Sequence, residues 1–388
     1  MKKYLLSSAL VISSIVHAQG TWTQKASLPG PARTNAAAFS IGAKGYVCTG
    51  YDGSVCLNDL WEFNAAANTW SQKANFIGAP REGAVAFSIG TKGYVGTGRQ
   101  DTIMYKDFYE YDQTNNTWTQ KADFGGTKRA EAVGFSIGTM GYIGTGFDGA
   151  NKADFWEWNS TTNMWTQKLA IGGVPRNSAI GYSIGSMGYI AGGYASGNIY
   201  QDIMEYNPAN NSWNIAGMTN LYMYSIACCA INNIAYYGTG IDDNASYYNS
   251  FSSWDASSGS LPLTAFSGSM RYNAVAFAAL GNVYLGTGFD SWVTSDLWEY
   301  TPLVGDQEQD LPVQVAFFPN PAQNSLQVKA GPIRQADIKI YDVRGSLVCA
   351  LANADLGEKL DISSLEKGVY FLSLTAGGKT SVKKFVKD

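Results

Sequence analysis

A unit of about 48 residues recurs six times between Thr21 and Thr301, and no other feature of the chain constrains its fold as strongly. Its firmest landmark is a small-residue doublet: Thr49-Gly50, Thr97-Gly98, Thr145-Gly146, Gly192-Gly193, Thr239-Gly240 and Thr287-Gly288. The second glycines are 48, 48, 47, 47 and 48 residues apart. A tyrosine stands four residues before each of them: Tyr46, Tyr94, Tyr142, Tyr189, Tyr236 and Tyr284. A further landmark runs Trp22, Trp70, Trp118, Trp165 and Trp213, with Leu261 in the sixth slot.

Residues 81 to 122 read as one unit of four short strands. Gly83 to Ile89 is small and apolar, which suits an innermost strand crowded round a channel. Gly93 to Thr97 follows a tight turn, Phe108 to Tyr111 makes a third strand, and Thr117-Trp118-Thr119-Gln120 alternates as the outer one. The small doublet lets the backbone leave the second strand without a side-chain clash. Four strands per repeat at this period predict an all-β fold, a six-bladed β-propeller. The last repeat stops after Leu297 to Tyr300, while Thr21 to Gln24 forms an orphan outer strand. The N-terminal strand therefore completes the sixth blade, so that no sheet edge is left at the join.

Arg81, Gly96-Thr97-Gly98, Tyr109-Glu110-Tyr111 and Asn116-Thr117-Trp118 together resemble the kelch repeat. The family usually has two glycines where most repeats here have Thr-Gly. The resemblance spans residues 20 to 303 and implies a kelch-type propeller.

An acidic stretch, Gly305 to Asp310, separates this region from a different one. The expected organisation is 1–18 export signal, 19–303 propeller, 304–312 linker and 313–388 a small β-sandwich of alternating strands and Gly turns. Pro319-Asn320-Pro321-Ala322, Ile340 to Gly345, Lys367 to Leu372 and the basic Lys383 to Lys387 resemble the C-terminal sorting domain of type IX secretion. That resemblance implies the type IX machinery as a partner of residues 313–388, with release or surface attachment to follow. Read from strand pattern alone, an ordinary carbohydrate-binding sandwich is the competing assignment.

Lys2 and Lys3, the apolar run Tyr4 to Val16 and the small Val16-His17-Ala18 read as a secretory signal cleaved near Ala18. The expected product is secreted or attached to the outer-membrane surface. The run is too short to span a bilayer, and no transmembrane segment is expected elsewhere. His17 is the only histidine, so the mature chain would have none. That excludes Ser-His-Asp and Cys-His catalysis and His-ligated zinc or copper, including the galactose-oxidase-like copper chemistry that also occurs on kelch propellers. Net charge of −4 with no basic cluster argues against nucleic acid. Neither cofactor nor metal is expected. Of five cysteines, Cys48 and Cys56 flank one hairpin turn, where a cross-hairpin disulfide would fit. Cys228 and Cys229 point to opposite faces of a strand as small apolar residues.

The loops between second and third strands differ in every repeat and share an end with the entry to the first strand, which is where specificity sits on a constant scaffold. Tyr105, Tyr200, Tyr247, Tyr248 and Trp292 are aromatics there without a counterpart in the repeat pattern. They serve as sugar-binding or protein-binding faces, or they pack on neighbouring loops. Arg33, Arg81, Arg129, Arg176 and Arg271 mark the same end, with Met223 in the fifth repeat. Either they form a rim of bidentate donors for an anionic ligand, or they pair structurally with Glu62, Glu110, Glu157, Glu205 and Glu299. The fifth repeat has Ser253 in place of the glutamate. Asp52, Asp148, Asp242 and Asp290 suit turn capping better than calcium.

The leading functional expectation is a non-catalytic recognition module binding a glycan or protein through the variable-loop face. The alternatives are a sialic-acid-mutarotase-like enzyme using the channel-mouth arginines, and a purely structural surface protein.

Overall fold

The computed structural model describes residues 20–302, 315–342, 347–376 and 379–388. The expected signal segment 1–18, His17 and the linker 304–312 lie outside them. Every regular element among the described residues is a strand. Gly20–Pro302 forms one compact unit and the C-terminal residues another.

The first unit is a ring of six four-stranded antiparallel sheets. In the second blade the strands are Val85–Ile89, Lys92–Gly96, Phe108–Asp112 and Thr117–Gln120, within two residues of the sequence reading. Inner strands of neighbouring blades pack side by side round the axis. They carry Ala36 to Ala38, Ala84 to Ala86 and their repeats, leaving a channel of about 190 Å³. Larger residues would fill it.

Closure follows the expected route. Thr21–Lys25 pairs antiparallel with Leu297–Thr301, Trp22 opposite Tyr300. Each outer-strand tryptophan also latches the preceding blade. Trp70 Nε1 donates to the Ala26 carbonyl at 2.7 Å and Trp118 to Ala74 at 2.9 Å, and Trp22 reaches Thr264 at 3.1 Å. The asparagine two residues before Trp70, Trp118, Trp165 and Trp213 accepts from the backbone amide of the same residue the tryptophan reaches, as Asn68 does from Ala26. The bare second-strand glycines let a neighbour's ring lie on the backbone. A Cβ on Gly93 would fall 2.2 Å from the Phe39 ring, and one on Gly141 2.4 Å from Phe87. Blade-to-blade packing is thus aromatic on backbone, the dense arrangement that makes core truncations costly.

The second unit has a three-stranded sheet (Val315–Phe318, Ser325–Ala330, Lys359–Asp361) and a four-stranded one (Leu347–Asp355, Gln335–Asp342, Gly368–Ala376, Lys379–Lys387). Alternate residues Leu326, Val328, Ile338, Ile340, Leu372, Leu374 and Phe385 form one core. This is the expected small β-sandwich.

Candidate functional site

The arginines do not reach the surface. Arg33, Arg81, Arg129, Arg176 and Arg271 are buried to 1 % exposure or less. Each grips both oxygens of an aspartate at the start of the third strand: Asp59, Asp107, Asp154, Asp202 and Asp296, with closest contacts of 2.5–2.6 Å. Nη1 also donates to the carbonyl of the first doublet residue at 2.8–3.0 Å. That residue is left-handed in every case, for example Thr49 with φ 62° and Thr145 with φ 58°. The arginine therefore clamps a strained turn shut. In Arg129 all five N–H groups are engaged. A guanidinium so committed has no donor to offer a ligand, so the expected rim of anion-binding arginines is corrected.

The expected glutamate partners are corrected too. Strand register puts Glu62 opposite Tyr46, and its repeats likewise. Each glutamate accepts from the tyrosine hydroxyl, Tyr46 to Glu62 at 2.6 Å and Tyr142 to Glu157 at 2.7 Å, and Glu299 accepts from Tyr284. Burial pushes these hydroxyls well above their ordinary range, and the glutamate adds to it. Burial alone would raise the Glu62 carboxyl, but bonds from Lys44 and Tyr46 hold it below the usual value. The fifth blade lacks arginine, aspartate and glutamate together, having Met223, Ser250 and Ser253. Joint loss could not reveal which acid was the partner. There the paired strands simply continue, Ile234–Ile241 with Tyr247–Asp255, past the doublet.

Two residues beyond each arginine position the chain closes a ring round the channel mouth. Asn35, Gly83, Glu131, Ser178, Ser225 and Asn273 all have φ between 51° and 61°. Each amide donates to the carbonyl of its counterpart in the preceding blade, at 3.0–3.3 Å, in an unbroken cycle. The ring residues and the residue after each line a cavity of about 150 Å³. The residue after each arginine position bridges to the residue after each doublet: Thr34 to Tyr51, Glu82 to Arg99, Ala130 to Phe147, Asn177 to Tyr194, Tyr224 to Ile241, Tyr272 to Phe289. The second member is apolar or aromatic in five blades and Arg99 in the other. Arg99 is held between Glu82 (Nε to Oε1, 3.1 Å) and Glu131 (Nη2 to Oε1, 3.3 Å). Burial would lower its pKa, but the two carboxylates outweigh that and raise it. Across the mouth, burial raises the Tyr224 and Tyr272 hydroxyls, with smaller contributions from Tyr194 and Tyr247 and from Glu131 and Glu82 respectively.

The five candidate aromatics divide. Tyr105 covers the Arg81 guanidinium at 4.2 Å and Tyr200 that of Arg176 at 4.7 Å, so both pack on neighbours. Tyr248 donates to Asp242 at 2.8 Å. Tyr247 packs against Tyr272 at 5.1 Å beside Phe289. Trp292 is 80 % exposed at a loop tip.

A family model described as KLHDC2/KLHL20/DRC7 Kelch-repeats domain matches residues 10–141. Another, described as Secretion system C-terminal sorting domain, matches residues 316–388. The chain carries a kelch propeller and a type IX sorting domain. A solved structure titled "Structure of YjhT" is 15 % identical, covering 70 % of this chain and 95 % of that chain with TM-score 0.61, which supports the propeller fold. No curated protein matches the chain. The sorting domain makes this kelch protein a secreted or cell-surface one and implies the type IX machinery as a partner.

On the kelch propeller the loop aspartates cap turns. Asp52 Oδ1 accepts from Ser54 and Val55, and Asp242 Oδ1 from Asn244 and Ser246. Among the described residues no group of three or more His, Cys, Asp or Glu stands close enough to hold a metal. Cys48 and Cys56 are both free thiols, correcting the expected disulfide. Cys48 is fully buried in one core cluster, while Cys56 lies in the loop against the Arg99 carbonyl at 3.9 Å. Cys228 and Cys229 pack into different clusters, on opposite faces of their strand. Sequence reasoning missed Glu82, Arg99, Glu131, Tyr224 and Tyr272. The signal that marks them is variation beside an otherwise constant arginine or doublet.

Proposed function

We propose that this exported kelch protein is a non-catalytic recognition module that binds a glycan at the mouth of its propeller. The observation that carries the reading is the mouth itself. A rigid hydrogen-bonded ring supports aromatic faces from several blades, Tyr224, Tyr272 and Phe289 among them, beside one cluster of charged side chains. Aromatic faces meet the C–H faces of sugar rings while polar groups fix orientation, the usual division of labour in ligand sites. The mutarotase-like alternative drew on free arginines at this mouth, and the buried Arg–Asp pairs remove that support. Residues 1–18 act in this reading as an export signal removed near Ala18, which the N-terminal sequence of the secreted protein tests directly.

The binding test is a glycan array probed with the full chain and with Tyr224→Ala, Tyr272→Ala and Trp292→Ala. A saturable hit weakened by the mouth substitutions supports the reading. A blank array from folded protein rejects it in favour of a protein partner or a structural role.

A further inference from the structure

The charge at the mouth restricts which sugars fit. Glu82, Arg99 and Glu131 come from two adjacent blades and form one ion-pair cluster with side chains 18 %, 33 % and 24 % exposed. Two carboxylates and one guanidinium leave the cluster one negative charge. The guanidinium, which a free acidic sugar would seek, is already shared between the two glutamates. The five other arginines near this end are consumed by Asp59, Asp107, Asp154, Asp202 and Asp296. A carboxylate ligand would therefore meet like charge in a half-buried site, where screening is weaker than in bulk water.

The same cluster is rich in acceptors. Glu82 Oε2 receives a long contact from Asn35 Nδ2 at 3.4 Å, and Glu131 Oε2 one from the Ser178 hydroxyl at 3.1 Å. Each ionised carboxylate offers about four lone-pair sites, so both retain capacity for a ligand's donors. Hydroxyl and ammonium groups supply donors; a carboxylate does not. Tyr224 and Tyr272 stand in the same mouth as half-buried rings, Tyr224 stacked on Tyr194 at 4.7 Å and Tyr272 tilted against Tyr247 at 5.1 Å.

We infer that the mouth selects non-acidic sugars, neutral or amino, whose hydroxyl or amino groups donate to Glu82 and Glu131 while the ring lies against the tyrosines. This rests on the recognition reading above and names the ligand class of that site.

The experiment compares neutral, amino and acidic glycans on one array, using the full chain, Glu82→Gln, Glu131→Gln and the double variant. The wild type is expected to retain neutral or amino sugars. Each single variant should weaken them about tenfold, the scale of one hydrogen bond to a charged acceptor. The double variant leaves Arg99 as the uncompensated charge of the cluster, so acidic sugars should gain where neutral ones lose. A merely structural role for the glutamates would lower all binding together and would not invert this preference. Binding of acidic sugars by the wild type overturns the inference and leaves the recognition reading intact. A blank array overturns both. Unchanged circular dichroism and melting of the variants show that the fold is retained.

Discussion

Asp154→Asn isolates the energetic role of the arginine clamps. Arg129 is fully buried and Asp154 is 24 % exposed on its side chain. Removing one partner of a buried pair costs roughly 3–5 kcal/mol, because the other charge stays uncompensated. Water already reaches part of Asp154, so the loss should sit near the lower end, about 3 kcal/mol. The fifth blade shows how the chain dispenses with the pair, by using Met223 with Ser250. Arg129→Met combined with Asp154→Asn follows that charge-free solution. It removes both charges but leaves the Thr127 and Thr145 carbonyls without their guanidinium donor. The double variant should then cost about 1–2 kcal/mol, less than Asp154→Asn alone. Urea unfolding followed by tryptophan fluorescence reads this cleanly, since the eleven tryptophans all lie between Trp22 and Trp298. A single-variant loss below about 1 kcal/mol, or a double-variant loss equal to the sum of two singles, would refute the clamp.

Trp22 packs edge-on to Phe251 and Phe266 at 4.8 and 5.0 Å, so Trp22→Ala should lower propeller stability by about 3 kcal/mol; a shift under about 1 kcal/mol in the same urea assay contradicts closure by this strand. Asp154, Glu62 and Glu299 have lowered pKa values: burial opposes the shift, and bonds from Arg129, from Lys44 and Tyr46, and from Tyr284 and Lys25 overcome it. Their stabilisation is complete above the unfolded carboxylate range, about pH 4, and is lost as pH falls through the lower folded values, so the urea midpoint should drop steadily from about pH 5 to pH 3. A flat profile contradicts it. Thiol titration in denaturant without reductant should find five thiols, and three would restore a disulfide. In the native protein the reaction should be slow, since burial pushes Cys56 up to about 11 and Cys229 to about 12.

Much of the architecture was legible in the one-dimensional pattern because each repeat encodes the same local events. The doublet glycine is an example: at Gly50, φ is 103° and a Cβ would fall 2.9 Å from the Thr34 carbonyl. Only glycine fits there, so the sequence advertises the turn. The orphan strand Thr21 to Gln24, the missing outer strand after Tyr300 and the order of motifs from Pro319 to Lys387 were equally local signals. They determined six blades, closure at the N-terminal strand and a sorting module. The arginine partner was different. Asp59 and Glu62 recur with the same period and vanish together in the fifth blade, so periodicity favours neither. Strand register decides between them, turning Glu62 to Tyr46 while Asp59, at the loop end, meets Arg33. The mouth is likewise a tertiary product. Glu82, Arg99 and Glu131 are up to 49 positions apart and become one cluster only where the ring brings two blades side by side. Local backbone chemistry repeats along the chain and can be read from it, whereas charge pairing across blades exists only once the ring has closed.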